Sequence, residues 1–180
     1  MVRISGGALR NREVRAPAGD AVRPTPGRVK EALFSIVGER IVDARVLDLY
    51  AGSGAIGFEA VSRGAAHATF VELHKPTANA IRETAARFGI AASTTVLCMP
   101  SEKAAARVAG RFDFVYADPP YALPPPHLTF GTLRSRGAID AESIVVYEHR
   151  DDASPFEGPG FETVREANYG EVTLQFLRVR

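Results

Sequence analysis

The sequence holds a single cysteine, Cys98, among 180 residues. One thiol excludes an internal disulfide framework and a cysteine-only zinc site, and it suits a reducing compartment. Long apolar runs are also missing: no stretch approaches the roughly 20 apolar residues that a membrane-spanning helix needs. The opening residues Met1-Val2-Arg3-Ile4-Ser5 contain no apolar signal region, so the expected location is the cytoplasm. His67, His74, His127 and His149 are scattered, without the spacing of metal ligands, and no metal is expected. No nucleophile–base–orienter set suggests covalent catalysis. Internal repeats and low-complexity segments are absent, and Pro124-Pro125-Pro126 is too short to be a linker. The net charge is only +1, which alone says nothing about a polyanionic partner.

What is present is an ordinary globular composition, 46% hydrophobic and 24% charged, enough to bury one core. The charge is unevenly placed. Arg3, Arg10, Arg12, Arg15, Arg23, Arg28 and Lys30 stand against only Glu13 and Asp20 in the opening segment. Such asymmetry reads either as a basic contact surface at one end of the molecule or as a solvated arm.

Two short runs, Val2–Ser5 and Arg12–Arg15, flank Gly6-Gly7-Ala8 and predict a β-hairpin. A loop marked by Pro17, Gly19, Pro24 and Pro26 follows. Val29, Leu33, Ile36 and Val37 recur at helical spacing within Arg28–Arg40. From Arg45 the pattern alternates. Strands are predicted over Val46–Tyr50, Ala68–Glu72, Thr94–Cys98, Phe112–Ala117 and Ser143–Glu148, with helices near Ala55–Arg63, Pro76–Phe88, Ser101–Val108 and His127–Arg136. Strand–helix alternation argues for a mostly parallel sheet covered on both faces. The last two runs, Phe161–Ala167 and Glu171–Val179, are joined by Asn168-Tyr169-Gly170 and must pair antiparallel.

The first chemical signal is the segment from Val46 to Gly57, a buried strand entering a glycine-rich turn that opens a helix. Gly52, Gly54 and Gly57 match the dinucleotide-binding spacing, a weak signal by itself. Asp48 discriminates: a carboxylate at the end of the first strand would repel a pyrophosphate and attract the ammonium and sulfonium charges of S-adenosylmethionine. Its structural alternative is a helix cap. Glu72, twenty positions after Gly52, can accept both ribose hydroxyls. The turn residues Tyr50, Ala51, Gly52, Ser53 and Gly54, with Leu73 beside Glu72, complete the candidate cofactor set. Ser101 would border the adenine, or simply cap the next helix.

The second signal is Asp118-Pro119-Pro120-Tyr121 after Phe112–Ala117. The strand delivers it to the same carboxyl edge. An exocyclic base amine is a poor nucleophile because its lone pair is delocalised into the ring. Asp118 and the Pro119 carbonyl could accept its two N–H bonds and hold it in line for transfer, and Asp118 also joins the candidate cofactor set. Tyr121 could stack on the base once it is extruded, and the two prolines stiffen the loop.

These residues resemble the class I amino-methyltransferases. The N-terminal half narrows the likeness. Arg3-Ile4-Ser5-Gly6-Gly7, Arg23-Pro24-Thr25 and Arg28-Val29-Lys30-Glu31-Ala32-Leu33-Phe34 resemble the RsmD family, bacterial guanine-N2 methyltransferases of small-subunit (16S) ribosomal RNA. The likeness runs over nearly the whole chain. Pro26-Gly27 departs from it, where the family more often has polar or acidic residues, and so does Met99-Pro100. The resemblance implies a seven-stranded Rossmann-like sheet, with residues 1–25 as an RNA-contacting hairpin extension and residues 26–180 as the catalytic domain. It implies S-adenosylmethionine as donor, S-adenosylhomocysteine as product, and a guanine 2-amino group in the assembled or nearly assembled small subunit as acceptor. Arg3, Arg10, Arg12, Arg23, Thr25 and Arg28 would then contact RNA, and the enzyme would act as a monomer.

Three other readings stay open at this point. A DNA adenine-N6 methyltransferase could use the same loop, although 180 residues leave little room for a target-recognition domain. A non-catalytic ribosome-assembly factor could retain the fold, although binding alone would not require Asp118-Pro119-Pro120-Tyr121. An NAD-dependent enzyme is disfavoured by Asp48.

Overall fold

The computed structural model describes residues 2–15, 27–120 and 122–180. Arg23, Thr25 and Tyr121, and the proline-marked loop before residue 27, lie outside the described residues.

Strands that are covered on both faces read as continuous apolar runs. In β3 (Arg45–Leu49) the residues from Val46 to Leu49 are all buried, Asp48 included. With β4 (His67–Glu72), β5 (Thr94–Cys98), β6 (Phe114–Ala117) and β7 (Ile144–Arg150) it forms a parallel core. β8 (Phe161–Asn168) and β9 (Val172–Val179) close one edge as an antiparallel hairpin. The order across the seven strands is β5-β4-β3-β6-β7-β9-β8. The chain moves outward from β3 to β4 and β5, then returns to the other side of β3 for β6 and β7. This reversal opens a crevice at the carboxyl ends of β3 and β6, where ligands of open α/β sheets bind. The expected seven-stranded, mostly parallel sheet, with its reversed C-terminal hairpin, is what the chain adopts.

Two cores flank the sheet. On one side α1 (Gly27–Val37), α2 (Ala55–Ser62) and α3 (Lys75–Phe88) pack Leu33, Phe34, Phe58, Ile81 and Phe88 against Val46, Phe70, Phe114 and Val146. On the other, α4 (Ser101–Ala105) and α5 (His127–Ser135) pack Ala104, Phe130 and Leu133 against Leu47, Val115 and Tyr147. Among the described residues no helix is long and apolar enough to cross a membrane.

Several boundaries differ from those expected. The first helix stops at Val37, because Gly38 adopts φ +60° and the chain tightens into a 3-10 turn over Gly38–Ile41. β6 begins at Phe114 rather than Phe112, whose N–H is drawn to the Ala138 carbonyl. α4 ends at Ala105, its last turn tightening through an Arg107 N–H bond to Ala104.

The N-terminal hairpin is shorter than its sequence suggests. β1 (Val2–Arg3) and β2 (Glu13–Val14) share two pairs, after which the chain turns onto α2 instead of extending the ladder. Ala8 N–H donates to the Ser62 carbonyl at 2.7 Å and Leu9 N–H to Ser62 Oγ at 2.9 Å. Gly7 makes this possible: its φ is +76°, and a Cβ there would lie 1.7 Å from the Ser62 carbonyl oxygen. Ile4, Leu9 and Val14 join the same core as α1–α3.

A buried ion pair locks this corner. Glu59 on α2 is fully buried and bonds the Lys30 ammonium of α1, itself 1% exposed. Glu59 also accepts the N–H groups of Ser5 and Gly6, the Ser5 hydroxyl, and Arg63 at 2.8 Å. Burial pushes the Glu59 carboxyl up, but Lys30 and Ser5 outweigh it and hold the pKa below its ordinary value.

Candidate active site

Asp48 leaves β3 buried, 1% exposed, and its Oδ2 accepts the Gly57 N–H at 3.0 Å. The cap that sequence reasoning set against a ligand role is therefore made, on the first turn of α2. Burial pushes the Asp48 carboxyl up to about 8, the Gly57 bond opposing it and the Glu72 charge adding to it. Without a nearby cation this acid is mostly protonated at neutral pH. A bound ammonium or sulfonium would favour its ionised form.

The turn after β3 is held on both sides. Ala51 N–H donates to Val71 at 2.9 Å, and Gly52 N–H donates to Glu72 Oε2 at 2.9 Å. The other Glu72 oxygen accepts His74 N–H at 2.8 Å. Each carboxylate oxygen can accept more than one bond, so Glu72 keeps capacity for ribose hydroxyls. Gly57 packs α2 on β4 so closely that a Cβ would lie 2.3 Å from the Phe70 ring. Tyr50 holds φ +59°, a left-handed conformation that costs a bulky residue about 1–3 kcal/mol. Its hydroxyl is anchored by Ser101 Oγ at 2.8 Å. Ser53 and Ala51 are buried in the turn, whereas Leu73 is 68% exposed immediately after Glu72.

This set fits S-adenosylmethionine. Two acids match its cationic end and its ribose, the glycine turn brings backbone close, and an uncovered leucine offers an apolar surface for a flat heterocycle. The capping alternative for Ser101 does not hold. Pro100 occupies the N-cap of α4 and Ser101 makes no side-chain capping bond; its hydroxyl is committed to Tyr50 and lies 3.2 Å from Thr129 Oγ1. Its backbone N–H, at the start of α4, is the group left to face an adenine.

Asp118 follows the last residue of β6 and lies across the crevice from the turn. Burial first, then the charges of Glu148 and Asp48, raise its carboxyl well above the usual range. Pro119 is buried and Pro120 exposed. The Pro120 carbonyl accepts Leu123 N–H at 2.8 Å, which leaves the Pro119 carbonyl as the better second acceptor for an amine. Tyr147 on β7 reaches the same region: its phenol is raised by burial and by the Asp118 and Tyr50 charges.

The basic residues divide. The hairpin tip is bound to Ser62, the far end of an eight-residue α2 that spans about 12 Å. Arg10 and Arg12 therefore lie toward the amino edge of the sheet, Arg12 with its guanidinium 5.6 Å from the Phe88 ring centroid. Arg3 is exposed and paired with Glu13 at 2.9 Å. Arg28 sits at the carboxyl edge, its guanidinium donating to the Tyr169 carbonyl at 3.4 Å in the β8–β9 turn.

Sequence reasoning missed Glu148, which is buried and accepts the Tyr116 hydroxyl. The available signal was an acid closing an otherwise apolar run, Ile144–Tyr147. It also missed Glu59, whose partners are far away in sequence.

Comparison with known proteins agrees with this fold. The family model described as conserved hypothetical protein 95 matches residues 2–178. The chain is 31% identical to ribosomal RNA small subunit methyltransferase D of Escherichia coli (strain K12), over 98% of this chain and 89% of that protein. The protein of the same name from Haemophilus influenzae is 28% identical over 98% and 93%. Among solved structures, a hypothetical protein of Thermus thermophilus superposes with TM-score 0.80 at 32% identity, covering 99% of this chain and 100% of that one. An RNA methyltransferase from Salinibacter ruber, solved in complex with S-adenosylhomocysteine, shares the fold at TM-score 0.63 and 17% identity, covering 87% and 94%.

Proposed function

Because the chain belongs to the conserved hypothetical protein 95 family, the RsmD family of small-subunit ribosomal RNA methyltransferases, we propose that it methylates the 2-amino group of a guanine in small-subunit ribosomal RNA, within the assembled subunit. The observation that carries this reading is Asp118, a half-buried acceptor followed by the buried Pro119, set across one crevice from the Asp48–Gly54 turn.

S-adenosylmethionine supplies a methyl group already activated on a sulfonium, and S-adenosylhomocysteine is left. Asp48, the turn from Tyr50 to Gly54, Glu72, Leu73 and the Ser101 N–H hold the donor. Asp118 and the Pro119 carbonyl accept the two N–H bonds of the amine and turn its lone pair toward the methyl group. Asp118 takes the proton that the amine loses. Tyr121 stacks on the extruded base. Guanine suits a carboxylate because it presents donors at both N1 and N2. No metal takes part.

Residues 1–25 form the RNA-contacting extension and residues 26–180 the catalytic domain of a monomeric, cytoplasmic enzyme. Arg28 faces RNA beside the crevice, and Arg3, Arg10 and Arg12 extend the basic surface toward the other edge; Arg23 and Thr25 also contact RNA.

The test is transfer from labelled S-adenosylmethionine, offered in parallel to unmodified small subunits, naked small-subunit RNA and duplex DNA. The expected product is N2-methylguanosine in the subunit. Label in DNA adenine would overturn the substrate, and no transfer despite cofactor binding would overturn the activity.

A further inference from the structure

Glu148 has no part in the reaction described above, yet it is buried, 3% exposed, at the reactive edge. β6 and β7 run parallel and pair through Ala117 and Tyr147. The next position on each strand is Asp118 and Glu148, and neighbouring strands lie about 4.8 Å apart. Side chains alternate along a strand, so Tyr116, Asp118 and Glu148 project toward the α1–α3 side. The Tyr116 hydroxyl donates to Glu148 Oε2 and fixes the carboxyl beside Asp118.

Other ionisable groups facing this pair, among the described residues, are Asp48 from β3 and Tyr116 from β6. Tyr147 reaches Asp118 from the opposite face. On the helices of the α1–α3 side, the inward-turned Lys30 and Glu59 are committed to each other. Two carboxyl groups this close do not both ionise readily.

We infer that Glu148, a carboxylate held by the Tyr116 hydroxyl one strand away from Asp118, is a positioning residue whose charge makes Asp118 a stronger acceptor for the proton that the methylated amine sheds. The inference rests on the amino-methylation reading. Both acids are raised in the unliganded protein, Asp118 by burial and by its two acidic neighbours, Glu148 to about 7 by burial against the opposing Tyr116 bond. An amine donating to Asp118, and a cationic donor beside it, favour ionisation there. The Tyr116 hydroxyl, donating to Glu148, favours the ionised form of Glu148. When the amine nitrogen bonds the methyl carbon, the carbon–sulfur pair leaves with the donor's sulfur. The nitrogen sheds one proton to Asp118, which passes it to solvent, and Glu148 ends as it began.

Glu148→Gln removes the like charge while its side-chain carbonyl can still accept the Tyr116 hydroxyl. Two readouts test the pairing. The first is carbon-13 NMR titration of the Asp118 carboxyl in the unliganded protein, assigned with Asp118→Asn. The second is the acid limb of single-turnover methyl transfer to small subunits, from about pH 5 to pH 9. The Asp118 midpoint is expected to fall by about one pH unit in Glu148→Gln, with the acid limb following it. An unmoved midpoint overturns the inference. Should Glu148→Gln not fold, Tyr116→Phe serves: losing the bond that favours ionised Glu148 raises the Glu148 midpoint and lowers that of Asp118, and no movement of Asp118 overturns the pairing. Small subunits left without N2-methylguanosine by the unaltered protein would instead overturn the amino-methylation reading, whatever the titrations give.

Discussion

Glu59 on α2 and Lys30 on α1 form a buried ion pair that ties the N-terminal extension to the catalytic sheet. It accounts for two segments of the family resemblance at once. Ser5-Gly6 and Lys30 meet at one carboxylate, so Lys30, part of the basic N-terminal pattern, is architecture.

Breaking a buried pair costs about 3–5 kcal/mol when the remaining charge is left alone; here Arg63 stays bonded to Glu59 and offsets part of that cost. Lys30→Met is therefore expected to lower the unfolding free energy by roughly 2–3 kcal/mol in chemical denaturation. Exposed Arg3→Ala, at a surface pair, should change it by less than about 1 kcal/mol. Equal losses from the two variants would contradict the assignment.

Asp48 makes stability depend on pH. Its carboxyl is raised in the folded protein from 3.8 to about 8, so the folded state holds a proton that the unfolded chain releases. That stabilisation is fully present below pH 3.8 and is lost as pH rises through about 8. The thermal midpoint of the unliganded protein should fall more steeply between about pH 4 and pH 8 than that of Asp48→Asn, and the two should run parallel above that window. Because a cationic ligand favours ionised Asp48, affinity for S-adenosylmethionine should rise over the same window. Parallel stability curves for the two proteins would rule out Asp48 as the source.

Arg28 lies at the edge that carries Asp118, whereas Arg10 and Arg12 lie toward the other. Arg28→Ala is expected to weaken subunit binding and to reduce the slope of log affinity against log salt by about 1. The Arg10→Ala effect should be smaller. A larger effect at Arg10 would move the RNA track to the amino edge.

Much of this was legible in the sequence. The apolar runs of β3, β6 and β7 and the terminal antiparallel pair follow from patterning, and the Gly52–Gly57 turn and Asp118-Pro119 follow from spacing at predictable strand ends. What was not legible depends on tertiary contact. Lys30 reads as a solvent-facing lysine until α2 brings Glu59 to it. Glu148 reads as the polar end of a strand until β6 sets Asp118 and Tyr116 beside it. The hairpin shortens because Ser62 captures its backbone, and Ser101 reads as a cap because Tyr50, with which it shares a hydrogen bond, is 51 positions away.

The central claim is that Asp118 acts on the amine and not on the cofactor. The most direct measurement compares Asp118→Ala with the unaltered protein in single-turnover methyl transfer to small subunits and, separately, in S-adenosylmethionine affinity by calorimetry. The account predicts a loss of roughly 10²-fold or more in transfer, with cofactor affinity changed far less. A matching fall in affinity would contradict it and return Asp118 to the cofactor site.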